Sequence, residues 1–161
     1  SGNLLFAHKG ISGPVILDSS IYWEKGSFSI DFVPKVHLKK LFTQSNKNFS
    51  TQVPLPKRFV KAFLEAIAVA DKPIRQYSEA EREKLKTIKQ YVMSPSGNFG
   101  YAKAEVTKGG IMSDEINPDT FESKKCQGLY FIGEVLDVTG ELGGYNFQWA
   151  FSSAVKCAKS L

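Results

Sequence analysis

Apolar positions recur along this chain with distinct spacings, and each spacing predicts a different element. Leu4, Leu5, Phe6 and Ala7 lead into His8 and the turn Lys9-Gly10, which reads as a short strand over 4–8. Ser12-Gly13-Pro14 then predicts a helix start, with Ser12 as N-cap candidate and Pro14 pre-set for the first turn. Val15, Ile16, Ile21 and Tyr22 would form its buried side. Phe28, Ile30 and Phe32 alternate with Ser27, Ser29 and Asp31, the period of a half-exposed strand that Pro34 ends. Residues 36–43 suit a short helix, and the polar stretch 44–53 suits a loop before Pro54 and Pro56. Phe59, Val60, Phe63, Leu64 and Ile67 mark an amphipathic helix over 57–70. Ser78 with Glu81 forms a capping-box pair, and Leu85, Ile88 and Val92 give the helix after it an apolar face. Residues 94–98 (SPSGN) are the linker candidate. Beyond it, Ala102, Ala104 and Val106 alternate with Tyr101, Lys103 and Glu105, predicting a strand that ends at Thr107.

The densest pattern lies at 128–150. Leu129, Tyr130, Phe131 and Ile132 form a continuous apolar run closed by Gly133, which suits a strand buried on both faces of a parallel sheet. An acidic loop with Glu134, Asp137 and Glu141 comes next, then Gly143, Gly144, Tyr145 and Asn146. Phe147, Ala150, Phe151, Ala154 and Ala158 continue at helical spacing. A strand, a glycine loop and a helix start in that order offer unpaired N–H groups and a partial positive charge to an anionic or carbonyl-rich ligand. The carboxylates of Glu134 and Asp137 can accept hydrogen bonds from sugar-like hydroxyls. An ordinary glycine turn capped by Asn146 accounts for the same residues. Thr107, Gly109 and Gly110 present the same pair of alternatives: a tight turn laid against a planar ring, or a hairpin or bulge. His8 has the chemistry of a proton donor near neutral pH, although a lone histidine is more often structural. His37 sits in a lysine-rich segment and reads as surface.

Composition narrows the class. With 42% hydrophobic and 23% charged residues over 161 positions, the chain reads as globular. No apolar run approaches the roughly 20 residues of a membrane helix, and the start has no signal-peptide pattern. Cys126 and Cys157 lack paired metal spacing and read as reduced thiols of a cytoplasmic protein, with no metal site. A net charge of +5 is modest; lysines interleave with acidic residues, so nucleic acid is not the expected partner. Ser-His-Asp, HExxH and Walker patterns are missing, and so is GxGxxG.

Four ordered segments carry a resemblance across the whole chain: LLFAHKGISGP at 4–14, AEVTKGGI at 104–111, DTFESK at 119–124 and GLYFIGEVLDVTGELGGYNFQWA at 128–150. They are similar to the bacterial HI0933-like, or BaiN-like, family of NAD(P)/FAD-dependent oxidoreductases. Two positions depart from its pattern: Ala7 replaces a usual threonine and Phe121 a usual methionine. The resemblance implies an α+β (mixed α/β) fold comprising the C-terminal part of a two-dinucleotide-binding-type FAD domain and part of an inserted substrate-side domain. Residues 1–98 would belong to the insert and 99–161 to the FAD domain. Because the family's GxGxxG lies near the N-terminus of a chain more than twice this long, these residues read as the C-terminal part of a longer protein, binding FAD poorly alone. The resemblance further implies FAD as cofactor, NAD(P) as electron donor and a small organic substrate. Flavin contacts would come from Thr107, Gly109, Gly110, Gly133, Glu134, Asp137, Gly143, Gly144, Tyr145 and Asn146, with His8 the candidate catalytic group. Amine or amino-ketone oxidation and reduction of a conjugated double bond both fit. The alternative class is a non-catalytic binding or dimerisation module, pairing with a second copy or weakly with nucleic acid.

Overall fold

A computed structural model describes residues 2–43 and 46–161. Among them the architecture is mixed α+β, running β1 (Leu5–Ala7), β2 (Gly10–Ser12), α1 (Pro14–Ser20), β3 (Phe28–Ile30), α2 (Leu38–Leu41), α3 (Phe49–Gln52), α4 (Lys57–Ala66), α5 (Glu79–Lys86), β4 (Tyr91–Met93) and α6 (Tyr145–Ala158). Packing separates a mid-chain unit, Gly26–Ser96, from a terminal unit made of Ser1–Lys25 and Gly97–Leu161. Residues 2–25 thus pack with the C-terminal residues. The break at Ser96 falls inside the candidate linker.

The mid-chain unit is organised by the apolar stripe of α4. Val60, Phe63 and Leu64 are buried against Phe49, Ile74, Leu85 and Ile88. Ser78 caps α5 in a reciprocal box: its hydroxyl accepts from Glu81 N–H at 3.3 Å, and the Glu81 carboxylate accepts from Ser78 N–H at 2.8 Å. Glu81 also pairs with Lys72 at 2.7 Å. The Tyr77 hydroxyl donates to the Ala70 carbonyl, and burial pushes its phenol above the ordinary value. Two expectations are corrected here. The helix after Ser78 stops at Lys86, passes through a 3₁₀ turn at Thr87–Lys89, and gives way to β4. β4 pairs antiparallel with β3, Ser29 opposite Val92, so Val92 is 64% exposed rather than on a helix face. The Tyr-Val-Met run has strand propensity that overrides the helical spacing of Val92. The expected loop 44–53 contains α3, because Phe49 is fully buried and Asp71 accepts from the Ser50 backbone and hydroxyl; Gln44 and Ser45 lie outside the described residues.

In the terminal unit β1 and β2 form a hairpin with Ala7 opposite Gly10, so His8 and Lys9 are the two turn residues. Gly13, not Ser12, occupies the N-cap of α1, with Pro14 directly after it. α1 has no fully buried residue, and Tyr22 is exposed. The expected strand over 100–107 is a 3₁₀ turn at Tyr101–Lys103. The expected strand over 129–133 is likewise unformed. The segment makes one bridge, Glu122 to Tyr130, and then enters a 3₁₀ turn at Gly133–Val135. A strand buried on both faces requires neighbours on both sides, and among the described residues this run has only the 121–123 segment beside it, through that single bridge. Leu129 and Ile132 are accordingly more than two-fifths exposed. The core here is Ile116, Phe121, Leu136 and Cys157, closed by Trp149 of α6.

Two predictions concern the capping box. Replacing Ser78 with Ala should destabilise the mid-chain unit by about 1 kcal/mol in urea unfolding followed by circular dichroism. The Lys72 ammonium, and then the Ser78 N–H, hold the Glu81 carboxyl below the ordinary glutamate range. Its stabilising contribution is therefore complete above that range and lost as pH falls through the depressed value. Glu81→Gln should flatten the decline of unfolding free energy below about pH 4; an unchanged slope would exclude this linkage.

Candidate functional site

The segment 128–138 positions the candidate residues. Gly133 has φ +69, and its peptide groups are held by α6: its N–H donates to the Ser153 hydroxyl at 2.9 Å, and its carbonyl accepts from Trp149 Nε1 at 3.1 Å. Ser153 is buried and donates its own hydroxyl proton to the Ala150 carbonyl at 3.0 Å. This clasp fixes the apolar run against α6. The Trp149 ring also packs on Phe121, centroids 5.9 Å apart.

The same segment draws in the second glycine turn. Ile111 N–H donates to the Val135 carbonyl at 2.9 Å and Asp137 N–H to the Ile111 carbonyl at 2.8 Å, forming a parallel bridge. Asp137 then accepts from Gly109 N–H at 3.0 Å. Gly110 has φ +141, and a Cβ there would lie 2.5 Å from the Val135 carbonyl oxygen. Only glycine allows this approach. Gly109 is thereby placed beside Asp137, and Gly110 beside Val135 and Leu136.

The start of α6 is held separately. Asn146 accepts from Gly140 N–H at 2.7 Å and donates to the Gly140 carbonyl at 2.9 Å, closing the loop 140–146. Asp18 of α1 accepts from Leu142 N–H at 2.8 Å. Gly144 is the left-handed N-cap, no side chain caps the helix, and the first turn contains no acidic residue. The opening N–H groups of this 14-residue helix therefore face outward with their positive partial charge uncompensated.

These bonds sort the candidates. Gly133 N–H and the Asn146 amide are already engaged, and Asp137 has one oxygen on Gly109. Glu134 has no hydrogen bond or ion pair among the described residues. Thr107, Glu134, Gly143, Gly144 and Tyr145 are all solvent-exposed. His8 stands apart at the exposed tip of the β1–β2 turn, its side chain unpartnered among the described residues. Two shallow clefts of about 440 and 340 Å³ flank α6, and none of the candidates lines either. No cluster of metal-ligating side chains and no helix able to cross a membrane occurs among the described residues.

Sequence reasoning missed Trp149, Ser153 and Asp18 as positioning residues. Trp149 and Ser153 could be found as polar groups four apart on the packed face of an otherwise apolar helix. Asp18 had no signal, since its partner lies 124 positions away.

Residues 85–160 match the HI0933-like protein Rossmann domain, and residues 1–106 match the HI0933-like protein barrel and H2TH domain. The chain belongs to the HI0933-like family of flavoprotein oxidoreductases. It is 43% identical over 168 residues to a ribosomal RNA dihydrouridine synthase of Escherichia coli and 43% over 167 residues to that of Haemophilus influenzae. It is 31% identical over 173 residues to a 3-dehydro-bile acid delta(4,6)-reductase of Clostridium scindens. These alignments cover 99%, 98% and 95% of the chain but 42% of each relative, so the chain spans less than half the length of the relatives it matches.

The two central glycines should differ in tolerance. Gly133→Ala meets only ordinary contact with Ala150 at 3.5 Å, so it should cost about 1 kcal/mol for the left-handed conformation. Gly110→Ala adds collision with a backbone carbonyl and should cost about 3 kcal/mol. Both are measurable by tryptophan fluorescence in denaturant, because Trp23 and Trp149 both belong to the terminal unit.

Proposed function

We propose that these residues form the flavin-facing, C-terminal part of an FAD-dependent reductase, completed by protein outside the 161 positions. The observation that carries this is the start of α6: no side-chain cap, no acidic residue in the first turn, and the glycine pair Gly143-Gly144 directly before it. That donor set fits an electron-rich, carbonyl-bearing ring edge. Bound FAD supplies hydride transfer. The chain's own part is to bind and orient. The N-terminal turn of α6 stabilises negative charge at the pyrimidine edge, the 107–110 turn lies along the ring, and Glu134 accepts from a ribityl hydroxyl. Asp137, through Gly109, holds that turn in place.

The substrate class we assign is a carbon–carbon double bond conjugated to a carbonyl, the group that dihydrouridine formation and a delta(4,6) reduction have in common. Identity of 43% to two relatives named for ribosomal RNA, against 31% to the bile acid reductase, favours uridine in RNA. NAD(P)H is the reductant class. The exposed apolar side chains of α6 (Phe147, Phe151, Val155), with Ile132 and Val135, are covered in this reading by the remainder of the flavin domain. A second reading, a non-catalytic dimerisation module, draws on the same exposed face.

Absorbance spectra separate the two readings. The full-length protein should purify yellow, bleach anaerobically with NAD(P)H and recover its colour on addition of uridine-containing RNA, while residues 1–161 alone should be colourless. A colourless full-length protein, with residues 1–161 forming a dimer, would favour the second reading.

A further inference from the structure

The two packing units differ in charge in a way the linear sequence conceals. Gly26–Ser96 holds 13 Lys and Arg against six Asp and Glu, a net of +7; the terminal unit holds eight against ten, a net of −2. Within the mid-chain unit four of the six acids are consumed internally. Asp31 pairs with Lys89, Glu81 with Lys72 and Glu83 with Lys86, while Asp71 holds Ser50. Among the cations left over, Lys35, Lys39, Lys40, Lys57, Arg58 and Lys61 are exposed and have no ion pair among the described residues.

α4 concentrates the imbalance. Its buried face is Val60, Phe63 and Leu64, and the opposite face presents Lys57, Arg58 and Lys61 with Glu65 as its sole acid. All three cations lie in the first half of the helix, where the macrodipole is repulsive to positive charge and where the first turn holds no acid. Folding stability alone would favour acids there, so the arrangement runs against the helix that carries it. Stability sacrificed at a solvent-facing position is a mark of function.

We infer that the basic surface of the mid-chain unit, centred on Lys57, Arg58 and Lys61, docks the phosphate backbone of the RNA substrate. The inference rests on the RNA reading of the substrate and adds where the RNA is held. Such contacts fix the position of the strand and carry no sequence information; they strengthen binding in a salt-dependent way.

The test is fluorescence anisotropy of a labelled RNA stem-loop with residues 1–161, at several salt concentrations and with no flavin or reductant. The triple variant K57E/R58E/K61E should lose at least about 30-fold in affinity and flatten the salt slope by about 2. Its melting temperature should hold or rise, since acids suit the first turn of α4; K57Q/R58Q/K61Q serves as the milder variant and should also weaken binding. The matched variant K9E/K103E/K159E, in the terminal unit, should bind nearly as wild type. Equal loss in both sets, no loss at α4, or affinity for anionic phosphatidylglycerol vesicles but not for RNA would overturn the inference. Hydride transfer by the full-length protein is a separate readout: normal RNA docking with no transfer to RNA overturns the substrate reading and leaves the docking surface standing.

Discussion

The terminal unit depends on one residue, Gly133. Gly133 sits where the apolar run 129–132 ends, and both its N–H and its carbonyl are taken by side chains of α6, Ser153 and Trp149. Buried backbone polar groups must be paired, and here helix side chains replace the sheet partners that such a run ordinarily has. That clasp sets α6 against Leu136 and Phe121, places the 133–138 segment where Ile111 and Gly109 can bond to it, and leaves the first turn of α6 facing out. Trp149 contributes a ring to the core and an N–H to the clasp, so its replacement would remove both.

Conformational freedom is spent where backbone must approach backbone. Gly110 is pressed against the Val135 carbonyl, and Gly144 turns left-handed to start α6 without a capping side chain. Ser78 caps the eight-residue α5, yet the longer α6, with 14 residues, begins uncapped. The mid-chain unit spends its acids on internal bonds and keeps its cations outside.

What the sequence made legible was local chemistry. The Ser78/Glu81 box, the amphipathic face of α4, the Pro14 helix start, the β1 strand and the helix from Tyr145 all form where turn chemistry and periodicity place them. So does the glycine turn at 143–144, directly before α6. What escaped was set by distant partners. Val92 has helical spacing from Leu85 and Ile88, yet pairs with Ser29 across the unit. The 129–132 run has the composition of a central strand but has only a single bridge here. Asp18 reaches Leu142 across most of the chain. Phe49 reads as one apolar residue in a polar loop, and is fully buried. The segregation of charge became visible only once the chain divided into units.

The most direct measurement is amide hydrogen exchange on the full-length protein with and without FAD, read by peptide at 105–112 and 140–150. Protection on FAD binding at both glycine turns, with 57–66 unchanged, is the result expected if these backbones face the flavin. Protection confined to other segments, with both turns exchanging as in the apoprotein, would contradict it.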